Sequence, residues 1–285
     1  LGKSLSAMIP IGRSILNFLD GNEPFFLNPR EKLPYLVIPT TSGTGGEATK
    51  NAVVTNIGPN GFKKSIRHNN LIPDNIIIDG ELLTSTPIHI TAACGMDALT
   101  QLIESYISQK STPFSDAIAW SGLEYFLCNF DYVCINDSNN IEVRQAVAYS
   151  ALCSGIALAN ADLGIVHGIA VPIGGFFKIP HGEVCARLLS ASLKVNFNAL
   201  ESRDNLNPSL LKLIKISKFI DNINLNSKPS NKIDSLINKI DIWINKFKIP
   251  TLDYYKITKK DIPKIISKTS QRNNPITLNE NEIEK

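Results

Sequence analysis

The sequence predicts an α/β layer followed by an all-helical domain, and three observations carry that reading. Short Val- and Ile-rich runs bounded by Gly, Pro and Asn are confined to the first third of the chain. From Pro87 onward the apolar residues adopt long helical periodicity. The chain has 285 residues, 43% of them hydrophobic, which is enough to bury a substantial core. The change of period falls near Thr84, so the expected division is an incomplete α/β domain over 1–83 and a helical domain over 84–285.

Taken in order, Leu1 to Met8 reads as the middle of a helix. Because the chain opens on Leu rather than Met, the native N-terminus is expected upstream. Tyr35 to Pro39, Ala52 to Ile57 and Asn75 to Asp79 read as strands. Ile90 to Ser108, Ala117 to Phe130 and Ile141 to Leu163 read as helices. Between Gln145 and Ala161 the side chains are mostly Ala, Ser and Gly, so neighbours can approach closely from several sides, and this helix is expected at the buried centre of its bundle. Residues 205–248 are rich in Asn, Ile and Lys, yet Leu210, Leu213, Ile214 and then Leu236, Ile237, Ile240, Ile244 keep helical spacing, predicting amphipathic helices. An extended tail closes on Asn273 to Lys285, a loop followed by a helix start. No internal repeat is visible.

Composition excludes several function classes. The formal charge is +3 with acids and bases mixed, apart from a lysine-rich stretch after about residue 210, so no face demands nucleic acid. Neither a signal peptide nor an apolar run of membrane-spanning length is present. The five cysteines, Cys94, Cys128, Cys134, Cys153 and Cys185, are odd in number and form no CxxC pair, which predicts free thiols in a reducing cytoplasm.

Two constellations can carry chemistry. Thr40, Thr41, Ser42, Gly43, Thr44, Gly45, Gly46 and Glu47 directly follow a predicted strand and are expected to enter a helix. Small and hydroxylated residues there would let backbone N–H groups and hydroxyls approach a ribose or phosphate, with the helix N-terminus adding positive partial charge. An ordinary Gly-rich turn fits the same letters. The second constellation is Asp97 and Gln101, four apart on one helix face, with His167 after a Gly-containing bend and His181 in a Pro-His-Gly turn. Asp and His are the donors of a catalytic zinc or iron site with an open position. Taken singly, an Asp in a helix is more often solvated and a His in a turn more often structural, so spacing alone leaves the metal site open.

The runs TTSGTGGEAT, GMDALTQLIESY, GIVHGIAVPIGG and IPHG, in this order and spacing, resemble the signature segments of iron-containing (group III) alcohol dehydrogenases. The resemblance extends to Asn274 and Pro275 near the C-terminus. It implies the dehydroquinate synthase-like fold of that family: an α/β nucleotide-binding domain, here partial, and a helical metal-binding domain enclosing a cleft. Asp97, His167 and His181 match metal ligands, and the Thr40 to Gly46 loop, Asn51 and Lys63, or by a one-residue slip Lys64, match cofactor contacts. The implied cofactors are NAD or NADP and a divalent metal, Fe or Zn. The implied partners are a small alcohol or aldehyde and, at full length, a second copy in a homodimer.

Three departures stand out. Gln101 occupies the place of a ligand His, Val171 that of a cleft His, and the GGGSxxD pyrophosphate loop is expected upstream of Leu1. The chain as given is therefore expected to bind nicotinamide nucleotide weakly and to expose apolar surface that promotes aggregation. The alternatives are a metal-independent reductase of the same fold, similar to maleylacetate reductases, and a non-catalytic fragment.

Overall fold

The computed structural model describes residues 1–24, 28, 31–136, 139–223 and 232–284. Residues 224–231, within the stretch expected to be amphipathic helix, lie outside the described residues. Helix α1, Gly2–Ile11, ends at Gly12, whose φ of 66° is a conformation glycine adopts without strain. Strand β1, Leu36–Val37, pairs in parallel with β4, Asn75–Ile76. Between them β2, Asn51–Asn56, and β3, Phe62–Arg67, form an antiparallel hairpin with Asn51 opposite Arg67 and Asn56 opposite Phe62.

Strand β3 departs from the sequence expectation. Its adjacent Lys63 and Lys64 break the apolar alternation, and it is held by pairing to β2 and by Ile66, which is fully buried. The Thr40 to Glu47 loop also departs. It enters a single 3-10 turn, Gly46–Ala48, and then β2, so no α-helix N-terminus stands behind it.

Helices dominate from residue 88: α2 Ile88–Tyr106, α3 Pro113–Asp131, α4 Ile141–Ala161, α5 Ile165–Phe176, α6 His181–Arg203, α7 Pro208–Ile223 and α8 Asp234–Lys246. Thr112 starts α3 with a reciprocal capping box to Ser115 and Pro113 at the first helical position. The small-residue helix α4 packs against α2 and α3 as its composition predicts, and α2 is buried around nearly its whole circumference. Ser105 and Ser108, at and just beyond the end of α2, donate to the carbonyls of Asp162 and Ala161, satisfying the frayed end of α4. On α8, Leu236, Ile237, Ile240, Trp243 and Ile244 form one buried stripe, and Trp243 meets Phe126 and Phe130 of α3 edge-on. The tail carries 3-10 turns and the short helix α9, Ile262–Ile266, rather than running extended, and it ends in the expected helix start, α10, Glu280–Glu284.

The tail also fixes α5. Asn274 accepts from the backbone N–H of Ile165, exchanges hydrogen bonds with Asn196, and donates to the Ile276 carbonyl. At its other end α5 meets the hairpin tip, where the Gly58 N–H donates to the Gly175 carbonyl at 3.1 Å. A Cβ on Gly61 would lie 1.9 Å from that same carbonyl, so only glycine permits this approach.

Candidate active site

Three helices deliver the donors. Asp97 lies mid-way along α2, His167 in the first turn of α5, and His181 at the first position of α6 rather than in the turn before it. Asp97 Oδ1 is 3.3 Å from His167 Nε2 and 3.7 Å from His181 Nε2. Asp97 is buried, yet its Oδ1 has no hydrogen-bond partner, and neither has the buried Nδ1 of His181. A buried carboxylate oxygen left unpaired is costly, and its place between two imidazoles fits a cation.

Glu104, two turns after Asp97 on α2, orients this centre. One of its oxygens is 2.7 Å from His167 Nδ1 and the other accepts the Val166 N–H at 2.7 Å. That contact assigns the proton to Nδ1 and turns Nε2 toward Asp97, the usual support of a metal-binding imidazole. Gln101, on the same face of α2, accepts a hydrogen bond at Oε1 from the Ser154 hydroxyl at 2.9 Å. Cys185, one turn after His181, completes a group with Asp97, His167 and His181 whose ligand atoms all lie within 4.8 Å of one another.

The electrostatics separate these groups. Burial opposes ionisation of Asp97, but His181 and His167 outweigh it and hold the carboxyl at about 2. Burial depresses the His181 imidazolium to about 3, with Lys63 and His167 adding to the fall against the pull of Asp97. Burial acts against a charged His167 as well, yet Cys185, Asp97 and Glu104 raise it well above the usual imidazole value. Burial lifts the Cys185 thiol to about 11. At neutral pH, Asp97 is therefore anionic and His181 offers a lone pair, while Glu104 holds the Nδ1 side of His167.

The donors open onto a cleft of about 850 Å³. Its lining includes Gln101, His167, Val171 and His181 together with Thr41, Thr44, Gly45, Asn51, Lys63 and Arg272. Thr40, Ser42 and Gly43 do not line it. The Thr40 carbonyl accepts from Thr86, Ser42 is buried, and Gly43 packs on Cys94. Gly45, at φ 56°, sits so tightly on α4 that a Cβ would lie 2.3 Å from the Ala151 carbonyl. Lys3 braces the loop, donating to the carbonyls of Gly46, Thr49 and Asn51. Lys63 extends from β3 past Gly174, and burial lowers its ammonium against the pull of Cys185 and Asp97.

Two family profiles match consecutive parts of the chain: iron-containing alcohol dehydrogenase over residues 1–80, and the C-terminal region of the Fe-containing alcohol dehydrogenase family over residues 91–285. The chain belongs to the iron-containing alcohol dehydrogenase family. It is 33% identical over 283 residues to the NADPH-dependent butanol dehydrogenase of Clostridium saccharobutylicum, covering 94% of this chain and 68% of that protein. It is 38% identical over 170 residues to the 1-propanol dehydrogenase of Citrobacter freundii, covering 59% of this chain and 44% of that one. Among solved structures, 1,3-propanediol oxidoreductase superposes with a TM-score of 0.84 at 28% identity, over 99% of this chain and 71% of that one. The alcohol dehydrogenase of Oenococcus oeni gives 0.82 at 26% identity, over 99% and 71%. The chain thus spans less than three quarters of each of these relatives.

Within this member of the family, sequence reasoning missed Glu104, Cys185 and Arg272. Cys185 stands four residues after His181, and that spacing was readable once His181 was assigned to a helix. Glu104 stands seven after Asp97 on the same stripe, but its partner is 63 residues away. Arg272 has a φ of 49° on a non-glycine residue and reaches the cleft from the tail, a placement only the tertiary fold reveals.

Proposed function

We propose that the chain is the cofactor-facing and metal-binding part of an NAD(P)-dependent alcohol dehydrogenase, which exchanges hydride between a nicotinamide and the carbon of a small alcohol or aldehyde. One observation carries this reading: Asp97, with its unpaired buried oxygen, lies between His167 and His181, and those two histidines line the same cleft as Thr41, Thr44, Gly45 and Lys63. A divalent ion, iron or zinc, supplies when bound the Lewis acidity that eases loss of the alcohol proton and polarises the aldehyde carbonyl. Asp97, His167 and His181 would hold it, and Glu104 keeps His167 Nε2 aimed at the centre.

The remaining residues bind and orient. Thr41, Thr44 and Gly45 offer hydroxyls and backbone to ribose or phosphate, and Asn51 stands at the start of β2 beside them. Lys63 and Arg272 add positive charge to the cleft wall. Val171 brings no titratable group to the cleft, so no imidazole at that position relays a proton. Hydride transfer then depends on the cleft holding the two carbons in line and excluding water. Residues 1–83 serve the nucleotide and 84–285 the metal. At full length the protein would act in the cytoplasm as a homodimer on a small molecule, without nucleic acid. No single helix among the described residues is long and apolar enough to cross a membrane.

The test combines metal analysis of the purified protein with oxidation of NADH and NADPH, side by side, in the presence of propanal and butanal. Bound metal, aldehyde-dependent turnover and loss of both in His181→Ala are expected. Full activity in metal-free protein would favour the metal-independent reductase instead. Metal binding without turnover on either nucleotide would reduce the chain to a binding module.

A further inference from the structure

Cys185 is fully buried, and its Sγ stands 3.8 Å from His167 Nε2 and 3.8 Å from His181 Nε2. Together with the 3.3 and 3.7 Å separations of Asp97 Oδ1 from the same two nitrogens, these are four of the six edges of a tetrahedron of donors, all of whose atoms lie within 4.8 Å of one another. A tetrahedron whose bonds to a central ion are ~2.0–2.3 Å has edges of ~3.3–3.8 Å, so all four measured edges fall in that range. We propose that Cys185, and not Gln101, is the fourth protein ligand, making a centre of one carboxylate, two imidazoles and one thiolate that selects zinc over iron. The proposal rests on the metal reading above and specifies its donor set.

Three further observations support the exchange. Gln101 is the position expected to supply a ligand, but its amide oxygen already accepts the Ser154 hydroxyl at 2.9 Å, and a neutral amide is a weak donor beside a thiolate. Cys185, like Asp97, is buried and does not line the cleft, whereas Gln101, His167 and His181 do. Ligation by Cys185 leaves the Gln101 side of the centre facing the cleft, from which an alcohol oxygen would join as a fifth donor. Among the described residues the other cysteines, Cys94, Cys128, Cys134 and Cys153, lie outside the cluster.

The chemistry follows from the donor set. On binding, the Cys185 thiol gives its proton to solvent as the sulfur–metal bond forms, with no change of oxidation state. Two anionic donors then cancel the charge of a divalent ion. Sulfur is a softer donor than imidazole or carboxylate, and zinc already stands above iron(II) in intrinsic affinity for such sites.

X-ray absorption at the zinc edge of the zinc-loaded full chain tests this without a mutation. One sulfur at ~2.3 Å and nitrogen or oxygen neighbours at ~2.0–2.1 Å are expected. A shell of nitrogen and oxygen alone around firmly bound zinc would overturn the Cys185 assignment and leave the metal reading standing. Failure to bind zinc, cobalt or iron would overturn both. In cobalt-substituted protein a near-ultraviolet thiolate-to-cobalt charge-transfer band should appear, persist in Gln101→Ala and Cys94→Ser, and vanish in Cys185→Ser. Zinc affinity should fall by ~10–100-fold or more in Cys185→Ser, and by less than about threefold in Gln101→Ala. A charge-transfer band that survives Cys185→Ser also refutes the assignment.

Discussion

Replacing Glu104 by Gln changes the metal centre without touching a ligand. In the native protein one carboxylate receives both His167 Nδ1 and the Val166 N–H, each at 2.7 Å. An amide of the same shape cannot accept both. If its oxygen keeps Val166, its NH2 faces Nδ1, and His167 must carry its proton on Nε2, the nitrogen that should bind metal. Should the amide turn over, the buried Val166 N–H loses its acceptor at a cost of about 1–3 kcal/mol. Losing the partner of a metal-binding imidazole lowers metal affinity by about 10–100-fold, or about 1.4–2.8 kcal/mol. Competition with a chromophoric zinc chelator measures this directly, with circular dichroism to verify folding. Zinc affinity within threefold of wild type in a folded Glu104→Gln protein would show that Glu104 does not orient the ligand.

Asp97→Ala and His181→Ala should abolish metal occupancy, and Gln101→His should tighten binding by placing an imidazole on the same face of α2; unchanged metal content in His181→Ala would refute the site. Gly45→Ala puts a Cβ 2.3 Å from the Ala151 carbonyl at a φ of 56°, and should lower Tm. Overpacking and the left-handed backbone together cost about 2–5 kcal/mol, a fall of about 5 °C or more, and an unchanged melting curve would refute the tight seat on α4. Burial lowers the Lys3 ammonium from its ordinary 10.5 to about 8 against the upward pull of Glu47. Its folded value lies below its unfolded one, so the penalty is full below pH 8 and is relieved as pH rises toward 10.5. Wild type should therefore gain on Lys3→Met across that window by at most ~3 kcal/mol, and a constant difference in denaturant midpoints would refute it.

The parts of this molecule legible in its sequence are those governed by local periodicity. The stripe on α8 and the small residues of α4 follow from spacing and size, and both helices lie as that spacing implies. Strand β3 was illegible because its two adjacent lysines carry no alternation, and pairing to β2 decides its state. The loop after β1 looked like a helix entrance because Gly and Thr do not distinguish one 3-10 turn from a longer helix. At the site, Asp97 and Gln101 were visible as a pair on one face. The neighbourhood of His167, His181 and Cys185 comes from the packing of α5 against α6, and placing His181 in a turn hid its alignment with Cys185.

Helix α5 joins the two sides of the cleft. His167 projects from its first turn toward Asp97, while its last turn holds the hairpin tip through the Gly175 carbonyl and passes beside Lys63. The interlock of Gly61 with Gly175 leaves no slack for the hairpin to slide along the helix. The two ends of α5, about three turns apart, thus stand at the imidazole and at the hairpin that carries Lys63. A ligand that displaced the hairpin would therefore load the same helix that carries His167, a mechanical route from one side of the cleft to the other.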